Sequence, residues 1–169
     1  MSLRRPSFAD AGPIAVVHVE SWREAYGHLL PDGFFDEAHA HSRVTMWTSI
    51  LTESRAEWSV QVAEDDRGIV GFAMAGPSLG PMAGPSLGPA EDVPRLRQLY
   101  SLYVLASHHG TGIGQALLDA VLNGGPATLW VARENPRAIA FYRRNGFEAD
   151  GAERVDPAVR QLTGARMVR

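Results

Sequence analysis

The sequence predicts an α/β or α+β fold built on a mixed β-sheet. Three observations carry that prediction. Apolar runs of strand length alternate with segments at helical spacing. One of those runs passes through a glycine-rich turn directly into a helical pattern. The chain then finishes in two strand-like segments close enough in sequence to pair antiparallel.

Leu3 to Pro6 reads as a short first strand, and Asp10 as the N-cap of the helix "AGPIAVVHVESWREAYG", whose Ile14, Val17, Trp22 and Tyr26 fall near one face. Gly27 offers a stop. "DGFFDEAHAHSRVTMWTSIL" continues as helix in one or two pieces. "EWSVQVAED" shows partial alternation and reads as a strand, "DRG" as a turn, and "IVGFAMA" as the returning strand of a hairpin. A tandem duplication follows, "AGPSLGPM" at 75–82 and "AGPSLGPA" at 83–90. Its Pro and Gly content predicts a loop, read as a surface insertion with a lid over a site as the alternative.

"LRQLYSLYVL" reads as a central strand on Leu96, Leu99, Leu102 and Val104, and "IGQALLDAVL" as a helix burying Leu117, Leu118, Val121 and Leu122. "ATLWV" is a further buried strand. "NPRAIAFYRRNGF" carries its own punctuation: Asn135 at the cap, Pro136 in the first turn, Gly146 just past the end. "FEADGAERV" and "RQLTGARMVR" make the closing pair.

Composition narrows the function classes. The chain has 169 residues, enough for one domain with its own core, so residues 1–169 are read as a single domain. With 45% hydrophobic and 21% charged residues it has the balance of a soluble globular protein. No apolar run reaches membrane-spanning length and no leader pattern is present, which predicts a cytoplasmic protein with no membrane partner. A net charge of −3 argues against nucleic acid as partner. Without cysteine there is no thiolate metal site and no cysteine nucleophile. His39 and His41 lack a third ligand at a recognisable spacing, so no metal is expected. All 16 basic residues are arginine, so no lysine is there to form a Schiff base.

The stretch "HHGTGIGQALL", residues 108–118, carries the chemistry. A strand entering a helix through glycines exposes the amides of the first helical turn at the positive end of the helix dipole, an arrangement suited to phosphate. A Walker loop is excluded because no Gly-Lys-Ser/Thr follows. The dinucleotide fingerprint fails because Gln115 stands where its third glycine belongs. The remaining pattern is Gln/Arg-x-x-Gly-x-Gly/Ala, here His109-Gly110-Thr111-Gly112-Ile113-Gly114. It lets a nucleotide-binding interaction domain compete with a coenzyme A site.

At these residues the chain resembles the GNAT superfamily of N-acetyltransferases. "LYVLASHHGTGIGQALL" is similar to the family's strand, loop and helix. "LWVARENPRAIAFYRRNGFEADG" is similar to the strand, helix and strand that follow, with an Asn-x-x-Ala-x-x-Phe-Tyr-x-x-x-Gly-Phe pattern. "SWREAYGHLLPD" resembles the first-helix region of a bacterial branch. The resemblance implies the GNAT fold, a twisted mixed sheet of six to seven strands with about four flanking helices. It implies acetyl transfer from acetyl-CoA, as the acetyl donor, to a primary amine of a small molecule or a protein N-terminus, without metal. A homodimer is common among relatives.

The resemblance also assigns roles. Backbone groups of Leu102, Tyr103 and Val104 would pair with the pantetheine arm, and the amides of His109, Gly110, Thr111, Gly112, Ile113, Gly114 and Gln115 would hold the pyrophosphate. Asn135 would meet the pantetheine or cap its helix. The amide of Val104 would stabilise the oxyanion and Tyr142 would protonate the leaving sulfur. Arg143 and Arg144 are read as a solvated face before a contact of one of them, or of Arg137, with the 3′-phosphate of coenzyme A. Trp22 and Tyr26 are read as core before acceptor pocket, and His108 and His109 as loop residues before general bases. Two positions depart from the family pattern. His109 stands where relatives carry Arg or Gln. Gln98 stands where they often carry a glutamate base, which leaves Glu20, His18, Glu91 and Asp92 as base candidates. It also raises the alternative of a degenerate domain that binds acyl-CoA without turnover.

Overall fold

The computed structural model describes residues 1–53, 55–78, 94–155 and 159–169. In chain order the elements are β1 (Ser2–Arg4), α1 (Ala11–Tyr26), α2 (Glu37–Thr52), β2 (Ser59–Asp65), β3 (Gly68–Pro77) and β4 (Arg97–Val104). They continue with α3 (Ile113–Leu122), β5 (Thr128–Ala132), α4 (Pro136–Arg144), β6 (Glu148–Val155) and β7 (Thr163–Val168). The strands form one seven-stranded sheet in the order β1-β2-β3-β4-β5-β7-β6. β4 and β5 pair in parallel, whereas β1–β2, β2–β3, β5–β7 and β7–β6 pair antiparallel. This is the mixed sheet with four helices that the sequence predicts. Packing divides the chain into two compact units, residues 1–75 with 101–123 and residues 76–100 with 124–169.

In the first unit, α1 and α2 bury Ile14, Val17 and Trp47 with Val62 of β2 and Phe72 of β3. Full burial of side chains of this size contributes roughly 1.5–3 kcal/mol each. Asp10 precedes α1 as predicted, but its carboxylate does not cap that helix. It turns back to accept from the Ser7 amide at 2.6 Å and from the Arg4 guanidinium at 2.8 and 2.9 Å. It thereby closes the short 3₁₀ turn Phe8–Asp10, and Arg4 holds the carboxyl well below the usual range. Asp36 does cap its helix, accepting from the His39 amide at 2.8 Å. In the β2–β3 turn, Asp65 accepts from the amides of Arg67 at 2.8 Å and Gly68 at 3.2 Å. Gly71 is required by close packing: a Cβ there would lie 2.9 Å from the Tyr103 carbonyl oxygen, 3.1 Å from a Val104 methyl and 3.3 Å from a Leu117 methyl. α3 starts and ends where its pattern predicts and buries Ile113, Leu117, Leu118, Val121 and Leu122.

In the second unit, Gln98 and Leu99 of β4 align with Thr128 and Leu129 of β5. The β6–β7 ladder shifts register between Ala149 and Glu153, where Gly151 takes a positive φ of 90°. Leu129, Phe147, Leu162 and Met167 form its buried set. Two expectations shift. Leu96 lies outside β4 and is exposed, so the strand begins at Arg97. The first three residues of the duplicated segment, Ala75 to Pro77, complete β3, and Ser78 donates to the Leu96 carbonyl at 2.9 Å. Of the rest of that duplication, residues 79–90 lie outside the described residues, and the choice between lid and insertion lies there with them.

Candidate functional site

The segment that leaves β4 toward α3 is braced by contacts from Val104 to His109. The Leu105 amide donates to the Val70 carbonyl at 3.0 Å. Ala106–His108 forms a 3₁₀ turn, and the Ala106 amide donates to Glu24 Oε2 of α1 at 2.8 Å. His109 Nε2 lies 2.8 Å from the Val104 carbonyl oxygen; a carbonyl only accepts, so Nε2 carries the proton. His108 Nε2 meets Asp65 Oδ2 at 3.1 Å, and its Nδ1 shares a hydrogen bond with the Ser107 hydroxyl at 2.9 Å. Asp65 is held below the ordinary carboxylate range by the Arg67 amide first and by His108 in addition. Thr111 Oγ1 donates to the His108 carbonyl at 2.8 Å.

Beyond this braced turn the backbone changes character. Gly110 and Gly112 have φ of 79° and 88°, in the left-handed region that favours glycine. Ala116 donates to the Gly112 carbonyl at 3.0 Å, so the amides of Ile113, Gly114 and Gln115 precede the first helical hydrogen bond. Among the described residues, the amides of Gly110 to Gln115 meet no acceptor. The His109 amide does, donating to the Ala106 carbonyl at 3.1 Å. The unpaired run therefore begins one residue later than the motif implies.

β4 contributes Leu102, Tyr103 and Val104 to the same unit. The Tyr103 ring stacks on His18 at 5.0 Å and 27°, and its hydroxyl accepts from Trp22 Nε1 at 2.8 Å. Trp22 packs edge-on against Tyr26 at 5.3 Å, so both belong to the aromatic cluster under β4. His18 is buried there, with Trp47 Nε1 donating to its Nδ1 at 3.2 Å. Burial first, then Arg43 and His39, lower its pKa to about 3. Its neutral ring carries its proton on Nε2, and Nδ1 is taken by Trp47. The ring thus has its unprotonated nitrogen engaged by Trp47. Glu20 pairs with Arg23. Glu91 and Asp92 lie outside the described residues.

In the second unit, Asn135 Oδ1 accepts from the Ala138 amide at 3.0 Å, the predicted cap, with Pro136 in the first turn. Tyr142 is buried, packed edge-on between Phe141 at 5.3 Å and Phe147 at 5.8 Å. Arg143 and Arg144 occupy the last turn of α4, where cations favour the helix dipole. Gln98 is buried beside Thr128. Among the described residues, no three His, Cys, Asp or Glu side chains gather as a metal site requires.

A sequence profile of the acetyltransferase (GNAT) domain matches residues 56–149, more than half of the chain. An uncharacterized N-acetyltransferase of Mycobacterium bovis is 34% identical over 149 residues, covering 84% of this chain and 85% of that one. The chain belongs to the GNAT acetyltransferase family. A further relative, the uncharacterized N-acetyltransferase YuaI of Bacillus subtilis, is 29% identical over 174 residues, covering 99% of this chain and 88% of that one. The crystal structure of the PaiA N-acetyltransferase of Thermoplasma acidophilum in complex with coenzyme A shares the fold. Its TM-score is 0.69 at 18% identity, over 98% of this chain and 96% of that one. As a GNAT enzyme the chain is an acyltransferase, and acyl-CoA use comes with the family. No helix among the described residues is long and apolar enough to cross a membrane.

Two residues of this GNAT chain were not singled out as anchors by the sequence. Glu24 and Asp65 hold the turn before α3 from 82 and 43 residues away. No local pattern marks a contact of that range.

Proposed function

We propose that residues 1–169 form one acetyltransferase domain that moves the acetyl group of acetyl-CoA onto a primary amine, of a small molecule or a protein N-terminus. The observation that carries this reading is the run of amides from Gly110 to Gln115, through the glycine turn into the first turn of α3. Those donors match a pyrophosphate in charge and in hydrogen-bonding sense. In this reading the backbone of Leu102, Tyr103 and Val104 takes the pantetheine amides. His109 flanks the pyrophosphate through its backbone position rather than its ring, since the ring already donates to Val104. Asn135 contributes chiefly by starting α4.

The reaction asks little of side chains. The amine nitrogen forms a bond to the thioester carbonyl carbon, and the carbonyl oxygen takes up negative charge, stabilised by the Val104 amide. The carbon–sulfur bond then breaks, and the departing thiolate takes the proton of the Tyr142 hydroxyl, which solvent replaces. A phenol with an ordinary pKa of about 10 holds that proton at neutral pH. The ammonium loses one proton before it attacks, and the nitrogen of the tetrahedral intermediate loses a second as the amide forms, both through water to a carboxylate or histidine. Alignment of the two reactants supplies much of the rate.

The binding-only alternative draws on Gln98, which is buried where relatives often place a glutamate and takes up no proton. One experiment separates the readings: free thiol release from acetyl-CoA over a panel of amines, with the Tyr142→Phe variant beside it. Amine-dependent release is expected, with kcat reduced about tenfold or more in the variant, on the order of 1.4 kcal/mol. Coenzyme A binding without release on any amine supports the binding module. An unchanged kcat in the variant removes Tyr142 as the acid.

A further inference from the structure

We infer that Glu24 is a positioning residue that fixes the strand end carrying Val104, an inference that rests on the acetyl-transfer reading above. The peptide groups around Val104 are fastened from three sides. The Val104 carbonyl accepts from the His109 ring at 2.8 Å, and the Leu105 amide donates to Val70 at 3.0 Å. The Ala106 amide donates to Glu24 Oε2 at 2.8 Å. One residue before Val104, the Tyr103 hydroxyl accepts from Trp22 at 2.8 Å. Glu24 and Trp22 both lie on α1, so this helix grips the strand end on either side of Val104.

Glu24 is the charged member of that brace, and it holds the first amide of the 3₁₀ turn, where an unpaired donor favours an anion. The glycine run ahead of α3 has its own anchors, His108 on Asp65 and Thr111 on the His108 carbonyl. Loss of Glu24 is therefore felt at Val104 more than at Gly110–Gln115. A misplaced oxyanion donor lowers kcat; a misplaced diphosphate cradle would weaken coenzyme binding. The role asks only for an acceptor oxygen, which a glutamine also supplies.

The test compares Glu24→Ala and Glu24→Gln with the parent enzyme, reading kcat, the Kd of coenzyme A, the pH profile of kcat/KM and amide hydrogen exchange at Ala106. Expected for Glu24→Ala are a kcat reduced about tenfold, a coenzyme Kd changed less than about twofold, and faster Ala106 exchange. Glu24→Gln restores kcat to within about twofold with the acid limb of the pH profile intact. Equal losses in both variants, with the acid limb abolished, overturn the inference and make Glu24 the proton acceptor. An unchanged kcat in Glu24→Ala overturns it, as does a loss that tracks unfolding in a thermal melt. If the parent itself releases no thiol, the acetyl-transfer reading fails instead. Ala106 exchange then still reports whether Glu24 holds the turn.

Discussion

Residues 102–115 and residues 133–147 each set up a helix, and they do so by opposite means. The α4 helix is capped at both ends by its neighbours in sequence, although Arg133 and Glu134 before it bond Thr163 and Asn145 after it bonds Arg169. Asn135 caps onto Ala138, Asn145 donates to the Phe141 carbonyl at 3.0 Å, and Gly146 takes the positive φ that ends the helix. The segment before α3 is held from far away, by Glu24, Asp65 and Val70. Long-range closure fixes the turn that leads into the run, with Thr111 bracing it from within, and leaves the backbone amides of the run for a ligand.

That contrast breaks most visibly in acid. The aromatic cluster beneath β4 depends on a neutral His18, whose pKa is lowered from 6.5 to about 3 by burial, Arg43 and His39. The unfolded chain takes up a proton below 6.5 while the folded chain does not. The stabilisation is complete above 6.5 and is lost progressively as pH falls toward about 3. Denaturant unfolding is expected to show a slope approaching about 1.4 kcal/mol per pH unit across that window. His18→Gln should flatten it between 6.5 and the carboxylate range near 3.8, where Asp10 also begins to lose its advantage. An unchanged slope would mean that His18 is not the buried neutral group. A smaller effect is expected on the local side: Asn135→Ala should cost about 1 kcal/mol of stability at any pH between 5 and 8. A coenzyme affinity that falls more than its stability would show that Asn135 touches the ligand as well as capping.

The same contrast explains what the sequence reveals. α3 and α4 are predicted to within a residue because glycine, proline and asparagine punctuate them locally, and the apolar spacing of Ile113, Leu117, Leu118 and Val121 survives as the buried face. The mixed sheet follows from alternation and order, and its seven strands fall within the six to seven that the family resemblance implies. Asp10 is misjudged because a capping residue is read against the helix it precedes, whereas Arg4 and Ser7 draw its carboxylate backward. The histidines of "HHGTG" are legible as letters only. Their partners, Asp65 and the Val104 carbonyl, are set by tertiary folding, as is Glu24 on Ala106.

In the proposed reading the amides from Gly110 to Gln115 hold the pyrophosphate of coenzyme A. The direct measurement is the thermal midpoint of the protein and of Gly112→Ala, each with coenzyme A and with ATP. At a hundredfold excess over Kd, coenzyme A should stabilise the parent by about 2.7 kcal/mol, a shift of several degrees, with little effect from ATP. Alanine strains a φ of 88°, by about 1–2 kcal/mol, so Gly112→Ala should lose most of the coenzyme-induced shift. Stabilisation by ATP but not by coenzyme A, or a full coenzyme shift in Gly112→Ala, would show that these amides do not hold the coenzyme.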